Sequence, residues 1–458
     1  MSFSFVFADT IINQLYHGIF SSQFVQFLVT LLFAIFFPVT SAAVLNYAER
    51  KVMAWMQDRV GPIHTGPQGS LQLLADVGKM LLKEDIHPEK ADKFIFLLAP
   101  AVFVAPMIAT FAILPFSPFI QLPGTALATG IVYYIAMSSI DVIGVVMAGW
   151  GSNNKYALMG GLRSAAQMIS YELPLVLSLI GVVLLTSSLA GSPGYPGSDG
   201  IGTISIKEII SFQSTAYWPG KGIPFWDFIF KSNTPWAWFI LVQPLMLLIY
   251  YISGLAETNR APFDLPEAES ELVAGYLTEY SGLRWGLFFL GEYGNMTVVS
   301  AIVASLFLGG WAGPGVGYLT AAGTPLGWQI LGNVLGIGYF VVKVYLISVI
   351  FIWVRATLPR LRADQLMRFA WLVLIPCTLG NILLTGVLYL LVHGFGLSNL
   401  IFLFVVGIVN WCMLFGFIWF VSRVTQTIAQ KAQAPSIRAR HRTQQKLESG
   451  LSLPVRRS

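Results

Sequence analysis

The sequence predicts an all-α protein that crosses a membrane several times. Of its 458 residues, 55% are hydrophobic and 11% are charged, whereas a soluble globular domain carries about 25% charged residues. Apolar stretches of roughly 20 residues, long enough to cross a bilayer as a helix, recur along the chain. The connections between them alternate in character, and several of those on one side are rich in Lys and Arg, as expected for a polytopic membrane protein.

Nine candidate spans can be placed in order. They are 24–46, 94–115, 125–150, 166–189, 236–256, 285–309, 329–353, 370–393 and 399–422. We therefore divide the chain into an N-terminal segment (1–23), a transmembrane core (24–395), an additional helix (396–422) and a basic tail (423–458).

The connections predict the orientation. Lysine and arginine concentrate in 48–93, in 354–369 and in the tail, and such segments stay on the cytoplasmic side. Nine spans then give an outside N-terminus and a cytoplasmic C-terminus. The acidic connection 257–284 falls inside and the Pro/Gly-rich connection 190–235 outside. No soluble domain of useful size remains, so any catalytic partner must be another chain.

The first inside connection predicts an amphipathic helix. Glycine and proline at 61–69 break helical structure. From Ser70, apolar residues recur with helical spacing: Leu71, Leu74, Val77, Leu81 and Leu82. Such a helix suits the membrane interface, either as a surface anchor or as a lid over the entrance for an amphiphilic ligand.

An acidic stretch over 256–282 is the most unusual feature of the chain. Its carboxylates are Glu257, Asp264, Glu267, Glu269, Glu271 and Glu279, with Arg260 as the one base. Asp264 and Glu267 fit a capping box at a helix start. Glu267 and Glu271 share a helical face and repel each other if both ionise. Clustered carboxylates of this kind share protons, which suits a proton relay.

Further ionisable groups lie inside predicted spans: Asp141, Glu172, Glu292 and Lys343. An intramembrane charge costs roughly 2.5–3.5 kcal/mol on insertion scales and indicates a functional site by default. The competing interpretation is a satisfied structural polar group. We favour function for Glu172 and Lys343 and leave Asp141 evenly balanced.

The two cysteines, Cys377 and Cys412, lie far apart in apolar segments. The sequence has no Cys pair with iron–sulfur or zinc spacing and no glycine-rich phosphate loop in a Rossmann context. We therefore expect no cofactor bound by this chain.

Six motifs, in order, resemble a membrane subunit of respiratory complex I, which is known as the H subunit in bacteria and as subunit 1 in mitochondria. They are "ERKVMAWMQDRVGP", "GSLQLLADVGKMLLKED", "AGWGSNNKYALMGGLRSAAQMISYELP", "AETNRAPFDLPEAESELVAGYLTEYSG", "LFFLGEYGN" and "WVRATLPRLRADQLM". The resemblance covers roughly residues 25–395. It implies a component of a proton-translocating NADH-quinone oxidoreductase that shapes the quinone cavity beside the peripheral arm and holds no redox centre itself.

The resemblance also implies roles for individual residues. The quinone cavity would take Glu49, Arg50, Arg59, Asp76, Arg260, Arg355, Arg360 and Arg362. The proton relay would take Glu172, Glu257, Asp264, Glu267, Glu269, Glu271, Glu279 and Glu292, to which the in-span charges Asp141 and Lys343 are added as candidates. Flavin and iron–sulfur clusters would belong to partner subunits, and ubiquinone or menaquinone would be the substrate.

The sequence departs from the family pattern in several places. His64 stands where an Asn followed by a basic residue is expected, and Asp141 stands where an uncharged residue is expected. The ninth span and the basic tail are additional, and the 190–235 connection is long.

The implied location is the bacterial cell (inner) membrane. The implied partners are the peripheral-arm quinone-site subunits, the adjacent small membrane subunits and membrane lipid, with no nucleic acid. Two alternatives remain open at this stage. One is the homologous subunit of a membrane-bound hydrogenase or another quinone-linked dehydrogenase. The other is a stand-alone proton-coupled transporter, although the halves show no convincing repeat.

Overall fold

The computed structural model describes residues 23–118, 125, 127–189, 203–214, 238–264, 272–320, 325–396 and 401–423. Within these residues the protein is helical, and eight helices are long and apolar enough to cross a membrane. The all-α membrane class predicted from the sequence is confirmed. The N-terminal segment up to residue 22, most of the 190–235 connection and the tail after 423 lie outside the described residues.

The helices follow one another as α1 to α14. They are α1 Gln23–Met56, α2 Gln72–Leu82, α3 Lys93–Phe111, α4 Gly130–Gly151, α5 Lys155–Leu189, α6 Ile206–Ser214, α7 Phe239–Val242, α8 Pro244–Glu257, α9 Gly282–Phe307, α10 Val316–Leu319, α11 Leu326–Thr357, α12 Ala363–Phe369, α13 Ile375–Gly394 and α14 Ile401–Arg423. A π-helical turn, Ala370–Leu374, joins α12 to α13.

Eight of the nine predicted spans correspond to long helices, with corrected limits. The largest correction is α5, which begins at Lys155 rather than at residue 166. The predicted span 236–256 is not one continuous helix. Gln243 has non-helical φ and ψ of −131° and 59°, and Pro244 has no N–H to continue the helical ladder, so the chain forms the short helices α7 and α8.

Helix α9 is the centre of the bundle and contacts α1, α3, α8 and α11.

Small residues let neighbouring segments approach closely, as is usual in membrane helix packing. The Cα of Gly275 would lie only 2.6 Å from a Cβ added to Gly160 on α5. This contact holds the 272–280 segment directly against α5.

Two ends of the bundle can be distinguished. The Arg260 end holds the last turns of α1, α4, α8 and α11 and the first turns of α3, α5 and α9. The opposite end holds the last turn of α9 and the short helix α6, where Gln213 donates hydrogen bonds to the carbonyls of Ser305 and Leu306. The sites described below depend on this division.

The amphipathic helix predicted from Ser70 is confirmed as α2, at the Arg260 end. None of its residues is fully buried, and its apolar side chains Leu74, Leu81 and Leu82 are exposed. The helix is tied to the bundle where Arg50 of α1 pairs with Asp76 at 2.7 Å and where Met80 packs against the first turns of α9. Its exposed leucines are left to the surroundings, as an interfacial helix requires.

The additional helix α14 is fixed to the rest of the bundle by polar contacts. The side-chain amides of Asn381 on α13 and Asn410 on α14 are hydrogen-bonded at 2.5 Å, and both are buried. The indole Nε1 of Trp411 donates to the carbonyl of Leu241 at 3.0 Å, just before the break between α7 and α8. A helix break at membrane depth is tolerated where neighbouring groups satisfy the freed backbone, and α14 supplies such a group.

Candidate functional site

Four charged side chains form a cluster at the Arg260 end, which we call the ion-pair cluster: Glu49, Arg260, Glu292 and Arg355. Arg260 Nη1 lies 3.5 Å from Glu49 Oε2 and its Nη2 lies 3.7 Å from Glu292 Oε2. Arg355 forms a close ion pair with Glu49 Oε1. Glu49, Arg260 and Glu292 are only 4–6% exposed. Two acids and two bases therefore balance one another where water is largely excluded.

Two tyrosines complete the cluster. The hydroxyl of Tyr293 donates to Glu49 Oε2 at 2.7 Å, and that of Tyr276 donates to Glu292 Oε1 at 3.2 Å. The guanidinium of Arg260 lies 4.2 Å from the centroid of the Tyr293 ring, close enough for a cation–π interaction. Burial lowers the pKa of Arg260, but Tyr293, Glu49 and Glu292 together raise it above its ordinary value. Arg260 is therefore a permanent positive charge.

The local sequence positions Arg260 through a turn at the end of α8. Asn259 has a positive φ of 50°, a conformation that Asn adopts more readily than most residues. The N–H of Arg260 bonds back to the carbonyl of Leu255, which closes the helix end in the manner of a Schellman motif. The chain thereby reverses direction, and Arg260 points back into the bundle.

A buried glutamine on α5 holds this turn in place. The side-chain amide of Gln167 donates to the carbonyls of Ala256 and Phe263, each at 2.7 Å. Its Nε2 also lies 3.3 Å from Oδ1 of Asn259. One fully buried side chain therefore connects both ends of the 256–263 turn to α5.

Charged groups continue from the ion-pair cluster towards the surface. Buried Asp264 pairs with half-exposed Arg360 at 3.0 Å. Beside α1, Arg50 pairs with Asp76, and Gln72 donates to the same carboxylate at 3.1 Å. The Arg260 end of the bundle thus holds the buried ion-pair cluster, and the partly exposed pairs Asp264–Arg360 and Arg50–Asp76 lie nearer the surface. The exposed apolar side chains of α2 lie next to them.

A second polar group lies deeper along the helices and involves two of the predicted relay residues. Ser139 of α4 donates a hydrogen bond to Glu172 of α5. Ser138 contacts the carboxylate of Glu257, which also interacts electrostatically with Glu172. Oε2 of Glu257 is buried and has no hydrogen-bond partner among the described residues. An unsatisfied carboxylate oxygen of this kind is suited to carrying a proton.

Comparison with known proteins identifies the family. A family model described as NADH dehydrogenase matches residues 28–386. The chain is 46% identical over 341 residues to the H subunit of NADH-quinone oxidoreductase from Brevibacillus brevis, covering 74% of this chain and 86% of the relative. It is 44% identical over 361 residues to the protein of the same name from Bacillus thuringiensis, covering 79% of this chain and 92% of the relative. The chain belongs to the NADH dehydrogenase family.

The match to the NADH dehydrogenase family ends at residue 386, so α14 and the basic tail lie beyond it. The ion-pair cluster, the 256–263 turn and the Glu172–Glu257 pair all lie within it. The family resemblance expected from the six sequence motifs is confirmed.

The structure places the remaining predicted residues of this family member in different surroundings. Glu279 accepts a hydrogen bond from Asn154 at 2.6 Å in the connection between α4 and α5, away from the ion-pair cluster. Arg59 bonds to Gln57 at the surface, and Arg362 is exposed. Glu267, Glu269 and Glu271 lie outside the described residues, as does most of the predicted capping box.

Lys343 does not join the carboxylates. Its ammonium donates to the carbonyls of Leu308, Gly310 and Ala312 at 2.7–2.9 Å, beyond the last turn of α9. Sixteen residues of helix separate this point from Glu292, which is about 24 Å at 1.5 Å per residue. These contacts favour the structural interpretation, since the charge satisfies carbonyls that follow a helix C-terminus.

Several residues of the site were not predicted from the sequence: Gln167, Asn259, Tyr276 and Tyr293. Gln167 carries a weak signal, because it is an amide within an otherwise small and apolar run of α5. The tyrosines carry none, because aromatic residues are frequent throughout this chain and their hydroxyl partners come from distant segments.

Proposed function

We propose that this chain is the membrane subunit of an NADH-quinone oxidoreductase that forms part of the quinone-binding cavity and links quinone reduction to proton translocation. The names of its relatives support membership of such an enzyme. The observation that carries the cavity assignment is the ion-pair cluster, because it places buried, balanced charge beside the exposed amphipathic helix α2. An amphiphilic quinone needs an apolar entrance and a polar inner end, and this end of the bundle offers both.

The proposed chemistry requires protons close to the quinone. Reduction to quinol takes two electrons and two protons. The electrons come from a partner subunit, because we expect no redox centre in this chain. Arg260 and Arg355 stabilise negative charge that develops on the quinone oxygens, in the manner of fixed cations in a water-poor site.

Proton movement is assigned to the carboxylates beyond the cluster. Glu257 lies at the end of α8, three residues before Arg260, so one turn of chain joins the two sites. Negative charge arriving beside Arg260 favours uptake of a proton by Glu257 and then by Glu172. Because binding equilibria at linked sites are reciprocal, a change at one site alters proton affinity at the other.

The remaining acids of the stretch extend this assignment. Glu267, Glu269 and Glu271 follow within a few residues along the sequence. Glu267 and Glu271 are four residues apart, a spacing that in a helix would make them repel and share protons. Asp264 belongs to the same group through its position beside Arg360.

Orientation and partners follow from the charge pattern. We assign the Arg260 end and the basic tail to the cytoplasmic side, where a peripheral arm carrying flavin and iron–sulfur clusters would dock. Adjacent small membrane subunits and lipid would surround the remaining faces.

The experiment is to purify the complex in mild detergent from cells that carry Glu257→Gln. We expect normal assembly. The rate of quinone-linked proton translocation per assembled complex should fall by about tenfold or more, because loss of an acid–base group typically costs at least that factor in rate. Glu208→Gln, an exposed acid on α6 at the opposite end, is the matched control and should behave as the parent.

The proteins that co-purify with the chain test whether it is a subunit of an NADH-quinone oxidoreductase. Co-purification with a flavin- and cluster-bearing arm and NADH-dependent quinone reduction would support the proposal. Co-purification with a hydrogenase, or isolation of the chain alone with transport activity, would overturn it in favour of one of the alternatives.

A further inference from the structure

A pair of buried tyrosines lies between α4 and α8. The hydroxyl oxygens of Tyr134 and Tyr250 are 2.9 Å apart, and the two residues are 2% and 0% exposed. Buried hydroxyls need hydrogen-bond partners, and each of these two hydroxyls finds one in the other.

A buried carboxylate lies on the same face of α4. Asp141 follows Tyr134 by seven residues, which is two helical turns, and is 3% exposed. Its Oδ2 accepts a hydrogen bond from Asn295 of α9 at 2.6 Å. Its Oδ1 is buried and has no hydrogen-bond partner among the described residues.

A small cavity lies beside Tyr134 and Asp141. It lies between α3, α4 and α9, and its polar lining comes from Thr110, Tyr134, Ser138, Asp141 and Asn295. A buried water molecule is held where two to four polar partners surround a space of its size. The unpartnered oxygen of Asp141 and the nearby hydroxyls meet that requirement.

The cavity lies next to the carboxylate pair of the proposed relay. Ser138, one turn before Asp141, lines the cavity and also contacts Glu257. Tyr250 precedes Glu257 by two turns on α8, and the charges of Asp141 and Glu257 interact. Polar groups therefore follow one another from Glu257 through Ser138 and Asp141 to Asn295 of α9, beside apolar side chains that also line the cavity.

We propose that Asp141, the Tyr134–Tyr250 pair and a water molecule in this cavity form a proton-holding branch of the relay. This inference rests on the proposed function of Glu257. In the transfer, an O–H bond of protonated Glu257 breaks, the proton passes through the Ser138 hydroxyl and the water, and an O–H bond forms at Asp141 Oδ1. No electrons are exchanged. The hydroxyl of Tyr134 orients the water, and its hydrogen bond to Tyr250 holds it in place.

The test compares single variants in the assembled complex. Asp141→Asn keeps the size of the side chain and a carbonyl oxygen to accept the hydrogen bond from Asn295, but cannot hold a proton. We expect it to lower the rate of quinone-linked proton translocation per assembled complex by about tenfold. Tyr134→Phe and Tyr250→Phe should also lower proton translocation. Asp141→Glu, which restores a carboxyl group, should recover part of the activity lost in Asp141→Asn.

Tyr251→Phe is the matched control. Tyr251 lies on the same helix, and its buried hydroxyl has no hydrogen-bond partner among the described residues. Removing that hydroxyl should leave proton translocation unchanged. Infrared difference spectra recorded during turnover give a second readout, since the component of the carboxyl carbonyl band that comes from protonated Asp141 should be lost in Asp141→Asn, while the component from Glu257 remains.

The results distinguish failure of the branch from failure of the relay. If Glu257→Gln impairs translocation while the Asp141 and tyrosine variants match the parent and no component of the carbonyl band is lost in Asp141→Asn, the branch is wrong and the proposed function stands. If Glu257→Gln is itself silent, the relay is wrong and the branch falls with it. A loss in Tyr251→Phe equal to that in Tyr250→Phe would also overturn the branch, because it would show a packing effect.

Discussion

Replacing Arg260 by methionine is the sharpest test of the ion-pair cluster. Arg260 bridges two buried carboxylates, at 3.5 Å from Glu49 and 3.7 Å from Glu292. Its removal changes the formal charge of the cluster from zero to −1. Removing one partner of a buried pair costs about 3–5 kcal/mol because it leaves an uncompensated charge. Glu49 keeps Arg355, so we expect the lower end of that range, about 3 kcal/mol.

A second change should rescue the first. Glu292→Gln removes one negative charge and keeps a group that can accept from the Tyr276 hydroxyl. The double variant Arg260→Met/Glu292→Gln is formally neutral again, and replacing a buried ion pair by groups of similar size is often close to neutral. The double variant should therefore be more stable than Arg260→Met alone.

The measurement is the midpoint of thermal dissociation of the detergent-solubilised complex, together with the amount assembled. Lys207→Met, on α6 at the opposite end, is the control for loss of a positive charge. A midpoint for Arg260→Met equal to that of the parent would refute the view that the cluster is held by charge balance. A double variant less stable than both single variants would refute it as well.

Two further predictions concern groups that position the site. Gln167→Leu removes the donor for the carbonyls of Ala256 and Phe263. Each buried carbonyl left unsatisfied should cost about 1–3 kcal/mol of stability. The variant should therefore have a lower dissociation midpoint and lower quinone reductase activity in the complex that still assembles. Trp411→Phe removes the donor to the Leu241 carbonyl, a bond that is not buried. It should destabilise the complex by less, about 0.5–1.5 kcal/mol, and so lower the midpoint less, with activity per assembled complex unchanged.

Each has its own control. Gln167→Glu should perform no better than Gln167→Leu, because a carboxylate cannot donate to a carbonyl, and a fully active Gln167→Glu complex would contradict the assigned hydrogen bonds. For the indole, Trp419→Phe changes an exposed residue of the same helix. Equal losses in the two tryptophan variants would mean that the contact to Leu241 contributes nothing specific.

Hydropathy was sufficient to predict the helical membrane fold, because a span needs only length and apolar composition. It did not predict the break at Gln243, since the flanking residues are as apolar as those of any other span. The sequence also favoured a functional role for Lys343, whereas the contacts of its ammonium favour a structural one. A lysine in an apolar run has the same local sequence whether its ammonium meets a carboxylate or three backbone carbonyls, and only the position of the 308–312 turn separates the two.

The residues of the site show the same limit. A charge within an apolar span indicated Glu292 in the sequence, whereas Glu49, Arg260 and Arg355 were expected from the resemblance to the family. Their supports were not indicated, since Gln167 and Asn259 act through backbone carbonyls and a left-handed turn that exist only after the chain has folded. Sequence reasoning therefore finds charged residues more readily than the residues, such as Gln167 and Asn259, that position them.

The geometry of α8 suggests why both kinds of group occur together. Glu257 and Arg260 are three residues apart, and the turn between them is fixed to α5 by Gln167 rather than left free. A loose turn would let Arg260 follow a change of charge by moving, which would screen that change before Glu257 could respond. With the turn held, Arg260 stays in place, so a negative charge developing beside it changes the potential at Glu257. On this reasoning the rigidity supplied by Gln167 is part of the proposed coupling, and its loss should impair proton translocation more than quinone binding.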